Sequence, residues 1–190
     1  MLYPFSKPTI EKTIYIYYNI YIGKVIMKRL DKINYYLDIA ETVAYRSTCL
    51  RKLYGCVIVK NDEIVSTGYS GAPRGRPNCS DLGKCAKKDL FPDVRHAGYD
   101  ACRSVHSEQN AIISASRERM IGSTLYLVGI RADNHNVYEE GAKPCLMCER
   151  FIINAGIEKV IVRKSKTEYE IIYVEDLIKH DPVLEGRLSY

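Results

Sequence analysis

The sequence has no apolar run long enough to cross a membrane. Its nearest approach, T-I-Y-I-Y-Y-N-I-Y-I-G-K-V-I at residues 13–26, is too short and too polar. The same segment lacks the small-residue cleavage site of a secretory signal. A dense basic stripe is also missing: the formal net charge of +5 is mild. That argues against a dedicated nucleic-acid binder but leaves room for a phosphorylated ligand. There is no internal repeat and no low-complexity block. The seven cysteines are odd in number and sit in a chain of 190 residues, so a small disulfide scaffold is excluded. They lean instead toward metal binding in a reducing compartment, and the expected location is the cytoplasm, with no membrane partner.

What is present describes an ordinary globular chain, 46% hydrophobic and 27% charged, long enough for one domain with a sizeable core. Residues 1–26 are expected to be an N-terminal extension whose Ile and Tyr favour extended backbone. Residues 27–190 are expected to be a single domain, because M-K-R-L-D-K-I-N-Y-Y-L from Met27 is a normal opening for a cytosolic fold. Ile33, Leu37, Ala40, Val43 and Ala44 approximate one helical face between Asp31 and Thr48. C-V-I-V-K and I-V-S-T-G-Y read as strands joined by a polar turn at N-D-E. S-G-A-P-R-G-R-P-N-C is a loop, and a helix is expected from near Ser104. A strand from Ser123 leads through a long polar excursion to a second helix, opening at Pro144 and closed by Asn154-Ala155-Gly156. Strands at K-V-I-V-R and Y-E-I-I-Y-V and a short helix at E-D-L-I-K complete the chain. Strands alternating with helices argue for an α/β fold around a mostly parallel sheet.

Two motifs carry chemistry. V-H-S-E-Q-N-A-I sets His106 two residues before Glu108, and K-P-C-L-M-C-E-R-F sets Cys145 three residues before Cys148. With Pro144 at the first helical position, both thiols fall on the first turn, where free amides and the helix dipole favour thiolates. One histidine and two cysteines make three zinc ligands and leave the fourth tetrahedral position open for water. Alone, C-x-x-C also fits a redox pair or half of a structural zinc knuckle. The knuckle would want its partners within about 20 residues, whereas His106 stands nearly 40 away. Glu108 fits a helix-start carboxylate, and it equally fits a proton carrier beside the open position. Cys56, inside an apolar run, reads as a small core residue.

H-x-E followed by P-C-x-x-C resembles the signature of the zinc-dependent nucleoside and nucleotide deaminases. Within that superfamily the chain most resembles the deoxycytidylate (dCMP) deaminases. The resemblance runs from about Arg29 to about Asp176, over R-S-T-C-L-R-K-L-Y-G-C-V-I-V-K, T-G-Y-S-G-A-P-R-G-R-P-N-C, V-H-S-E-Q-N-A-I and I-I-N-A-G-I-E-K-V. It implies a cytidine-deaminase-like three-layer α/β/α sandwich with a central mixed sheet of about five strands. It implies hydrolysis of dCMP to dUMP and ammonia, with His106, Cys145 and Cys148 on a catalytic Zn²⁺. Glu108 would take the water proton, deliver it to N3 and then help protonate the leaving amine. Ser70, Gly71, Arg74 and Arg76 would line the sugar and phosphate side, and Ser107 is a further substrate-binding candidate. Ser70 stands where the family usually has asparagine, and Ser107 where it usually has alanine. A second, structural zinc is implied at Cys49, Cys79, Cys85 and Cys102, with His96 as an alternative ligand. Homo-oligomers, often hexamers, and regulation by dCTP and dTTP, with Mg²⁺ alongside the nucleotide, are further implications. Other readings stand beside this one. The same chemistry serves a dCTP deaminase, a tRNA adenosine deaminase or a riboflavin-pathway deaminase. A zinc-stabilised nucleotide-binding module without turnover is the non-enzymatic alternative.

Overall fold

The computed structural model describes residues 18–21, 24–27, 29–91, 101–138 and 141–186. The chain divides into two compact units, residues 1–31 and residues 32–190. In the first, β1 (Tyr18–Tyr21) pairs antiparallel with β2 (Lys24–Met27), Tyr18 opposite Met27.

The second unit opens with α1 (Lys32–Ala44), followed by the hairpin of β3 (Lys52–Lys60) and β4 (Glu63–Tyr69). Asn61 and Asp62 both have positive φ, 51° and 68°, the handedness that a two-residue hairpin needs to match strand twist. The Asp62 carboxylate anchors this turn to α1, 2.6 Å from Lys32 Nζ and accepting from the Tyr36 hydroxyl at 2.7 Å. Four short helices follow: α2 (Cys79–Leu82), α3 (Ala86–Leu90), α4 (Ser107–Ile113) and α5 (Arg117–Met120). Then come β5 (Thr124–Arg131), α6 (Leu146–Ala155), β6 (Lys159–Arg163), β7 (Tyr169–Tyr173) and α7 (Val174–Lys179). Among these described elements no helix is long and apolar enough to cross a membrane.

The sheet order is β4-β3-β5-β6-β7. Only β5 and β6 run parallel; the other three neighbouring pairs are antiparallel. The five-stranded mixed sheet is as expected, and the mostly parallel one is corrected. Continuous apolar runs such as C-V-I-V and K-V-I-V report burial on both faces, which says nothing about strand direction.

Two-residue alternation splits each central strand between two cores. Cys56, Ile58, Leu125, Leu127, Val160 and Val162 face Ala111 of α4 and Ile152 of α6. Val57, Val59, Val128, Ile130 and Ile161 face Leu37, Ala40 and Ala44 of α1. The result is three layers, helix on sheet on helix. On the α1 side a fully buried Arg163 reaches Asp38 at 2.6 Å and Glu41 at 3.3 Å, and donates to the Asn34 carbonyl at 3.2 Å. A charge this deep survives only because it is paired.

The helices lie close to the sheet because glycines admit them. A Cβ on Gly55 would strike the backbone of Ala40 and Ala44, and one on Gly68 would strike the Ser107 carbonyl and the Ala111 amide. The second contact seats the first turn of α4. Gly68→Ala is therefore expected to destabilise the protein by about 1–3 kcal/mol through overpacking and to weaken metal retention as α4 lifts. Denaturant unfolding, with zinc measured on the same sample, reads both; a variant unchanged in both would show that α4 tolerates the shift.

Candidate active site

Both motif helices start later than the sequence pattern indicates. His106 is the N-cap of α4, with φ −73° and ψ 156°, and Cys145 is the N-cap of α6, with φ −79° and ψ 163°. Pro144 thus lies before the cap rather than at the first helical position, and Cys148 falls on the third residue of α6. An N-cap side chain can fold back over the helix mouth. The ligands therefore gather at two helix openings, where free amides favour anionic sulfur.

His106 Nδ1 lies 3.5 Å from Cys145 Sγ and 3.3 Å from Cys148 Sγ, and the three ligand atoms all lie within 4.8 Å of one another. Nitrogen at about 2.0 Å and sulfur at about 2.3 Å from a tetrahedral zinc stand roughly 3.5 Å apart. The residues fit that ion. Burial pulls the His106 imidazole down, but the Cys145 sulfur and the charge of Glu108 more than offset it and hold it above its ordinary value. The neighbouring Cys145 sulfur and burial push the Cys148 thiol far up. Both are protons that a divalent cation would displace.

Three contacts that sequence reasoning missed hold His106 in place. Gln109 Oε1 accepts from the His106 amide at 3.1 Å, while its Nε2 reaches Met147 Sδ at 3.0 Å, tying the openings of α4 and α6 together. Val105 and Gly71 exchange backbone hydrogen bonds of 2.8 and 3.2 Å, which fix the chain entering His106. An S/T/D/N-x-x-E/Q pattern would have flagged such a capping glutamine, but a histidine cap falls outside it.

Glu108 is only 5% exposed. Its Oε2 accepts from the Ser107 hydroxyl at 2.7 Å, and its carboxylate is within hydrogen-bonding reach of Cys148. It therefore flanks the ligand triad. His106, Glu108 and Cys145 border a cavity of about 330 Å³ that Tyr54 and Ser70 also line, a volume suited to a small ligand. The Tyr54 ring stacks on Tyr138, centroids 6.2 Å apart and planes at 10°. Ser70 is buried, its hydroxyl 2.8 Å from that of Ser47 and accepting from the Tyr54 amide at 3.2 Å.

The cations bordering this cavity are Arg51, Lys52, Lys87 and Lys143. Gly71, Arg74 and Arg76 are not among its lining residues: Gly71 is buried in the bridge before His106, and the two arginines are exposed on the loop beyond β4. The basic residues facing the cavity come instead from the start of β3, from α3 and from the residue before Pro144. Cys49, Cys85 and Cys102 also border it. Among the described residues, His106, Cys145 and Cys148 form the group with metal-binding spacing; Cys49, Cys79, Cys85 and Cys102 do not form another. His96 lies outside the described residues.

Residues 30–164 match the family described as the cytidine and deoxycytidylate deaminase zinc-binding region. The deoxycytidylate deaminase of Mycobacterium phage D29 is 36% identical over 143 residues, covering 73% of this chain and 99% of its own length. The chain belongs to the cytidine and deoxycytidylate deaminase family. The deoxycytidylate deaminase of Schizosaccharomyces pombe is 31% identical over 132 residues, and there the chain spans 37% of the relative's length. The crystal structure of dCMP deaminase from cyanophage S-TIM5 is similar at 25% identity and a TM-score of 0.46, over 70% of this chain and 82% of that one. The family match takes in all three zinc-spaced ligands and Glu108; β7 and α7 lie beyond it.

Proposed function

We propose that this chain is a zinc-dependent deaminase that hydrolyses dCMP to dUMP and ammonia. The observation that carries the reading is the buried Glu108 beside the His106–Cys145–Cys148 triad, at a cavity bordered by four cations. The 36% identity to a phage deoxycytidylate deaminase, over nearly its whole length, supports the substrate class.

His106, Cys145 and Cys148 would hold zinc, which when bound would supply the Lewis acidity that makes water a competent nucleophile at neutral pH. The residues around it do the rest. Glu108 takes the proton of the attacking water, delivers it to N3 of the cytosine and then serves the departing amine at C4. Its burial keeps bulk water from competing for that proton. Tyr54, braced by Tyr138, offers an aromatic wall to the pyrimidine ring. Arg51, Lys52, Lys87 and Lys143 take the 5′-phosphate, for which guanidinium and ammonium groups are suited. Ser70 stands on the sugar side, its hydroxyl retaining limited capacity beyond Ser47 and Tyr54.

The same reading includes a structural zinc at Cys49, Cys79, Cys85 and Cys102, with His96 as alternative. In support, Cys49, Cys85 and Cys102 border the same cavity. It also includes a cytoplasmic homo-oligomer, a hexamer, regulated by dCTP and dTTP with Mg²⁺. The exposed apolar side chains Ile113 on α4 and Phe151 on α6 support contact between subunits.

Ammonia release is expected from dCMP, and not from deoxycytidine or adenosine in a tRNA stem-loop; turnover confined to dCTP would reassign the phosphate site. Glu108→Gln should abolish turnover while leaving dCMP binding within a few-fold, whereas a binding module would show no turnover in either protein. Arg51→Ala should raise KM for dCMP by roughly tenfold or more, the loss of one charge-assisted phosphate contact. Zinc is expected at two equivalents per chain, falling to one in Cys148→Ala and in Cys79→Ala. A single equivalent in the unaltered protein would remove the structural site. Sedimentation should give six subunits with dCTP and Mg²⁺ present, and a monomer there would sink the assembly.

A further inference from the structure

We propose that Ser107 is a positioning residue for Glu108: its hydroxyl holds one carboxylate oxygen, so that the catalytic proton travels on the other. The inference rests on the deaminase reading above and deepens it at one hydrogen bond.

Ser107 has no exposed surface and Glu108 has 5%, so neither side chain draws its partner from bulk solvent. Their 2.7 Å contact runs from Ser107 Oγ to Glu108 Oε2, the length of an O–H···O bond to an ionised acceptor. A fully buried hydroxyl requires a partner. Here that partner is the group whose protonation changes during the reaction.

A serine hydroxyl has a single proton, so where that proton points matters. The carboxylate is a strong acceptor, and the serine proton points to Glu108 Oε2.

The arrangement distinguishes the two carboxylate oxygens. When Glu108 accepts the proton on Oε1, Oε2 becomes the carbonyl oxygen of the acid and still accepts from Ser107. When the proton goes to Oε2, the serine bond must break or reverse. The hydrogen bond thus biases the proton toward Oε1 and limits rotation of the carboxyl group. A carrier that must reach water, N3 and the leaving amine in turn gains from both. Position in the chain makes this contact local: Ser107 and Glu108 are the first two residues of α4, and Gly68 lets their backbone settle on β4.

The test uses Ser107→Ala, which removes the hydroxyl and adds no volume, beside the unaltered protein and Glu108→Gln. The expected result is a fall in kcat of about tenfold, the loss of one charge-assisted bond in the transition state. KM for dCMP, zinc per chain and the melting temperature should stay at their starting values. A second readout needs no turnover. Affinity for 3,4,5,6-tetrahydro-2′-deoxyuridine 5′-monophosphate, whose 4-hydroxyl mimics the attacked centre, should fall by the same factor in calorimetry. Ser107→Ala with unchanged kcat and unchanged analogue affinity overturns the inference. So does a loss of activity matched by a loss of zinc or of folded protein, which would make the serine structural. An unaltered protein that turns over none of the nucleotides overturns the deaminase reading itself and this inference with it.

Discussion

The site depends on how closely the first turn of α4 lies against β4. Gly68 leaves no side chain between them, and the Ser107 carbonyl and Ala111 amide occupy the space that a Cβ would need. That contact sets the depth of His106 and Glu108, which extend from the opening of the same helix. The cysteines arrive separately, on a helix that connects β5 to β6. Two independent placements must agree within a fraction of an ångström for nitrogen and sulfur to share one ion. Gln109 spans the gap, with one end on the His106 backbone and the other on Met147. The metal, when bound, would add a bond between the two helix openings and so stabilise the arrangement that binds it.

The two faces of the sheet carry different burdens. On the α1 side the polar groups are structural: Arg163 is buried whole and paired with Asp38, Glu41 and the Asn34 carbonyl, joining the first helix to β6. On the α4–α6 side His106, Glu108 and Cys145 open onto a cavity. The apolar cores between them are alternate residues of the same strands, so the strands that hold the frame also hold the chemistry. Cys56 shows this at one residue. It is a packed core side chain on β3, in the same cluster as Ala111 of the helix that carries Glu108.

Much of the local structure was legible. The polar turn at Asn61-Asp62, the stop at Gly156 and the strands at β3, β5 and β6 all follow from turn chemistry and apolar runs. The helix openings were less so. Pro144 suits a first helical position, yet α6 waits for Leu146, because Cys145 caps the helix with its own extended backbone. Proline marks where a helix can begin, and capping geometry settles where it does. Sheet direction does not follow from the pattern, for a different reason. Alternating elements are compatible with either direction, and here the chain returns from α5 to lay β5 antiparallel beside β3.

The clustering of His106, Cys145 and Cys148 beside Glu108 could be read from residue type and spacing, because a metal site needs particular atoms and short motifs supply them. The resemblance named the reaction from those same motifs. The cations around the cavity could not be read that way. Arg74 and Arg76 looked suited to phosphate from their loop, but Arg51, Lys52, Lys87 and Lys143 border the cavity. Those four come from three separate stretches of chain, and each is an ordinary surface residue in its own neighbourhood. Charge acts through distance in space, and the distances among residues so far apart in sequence exist only once strands and helices have packed.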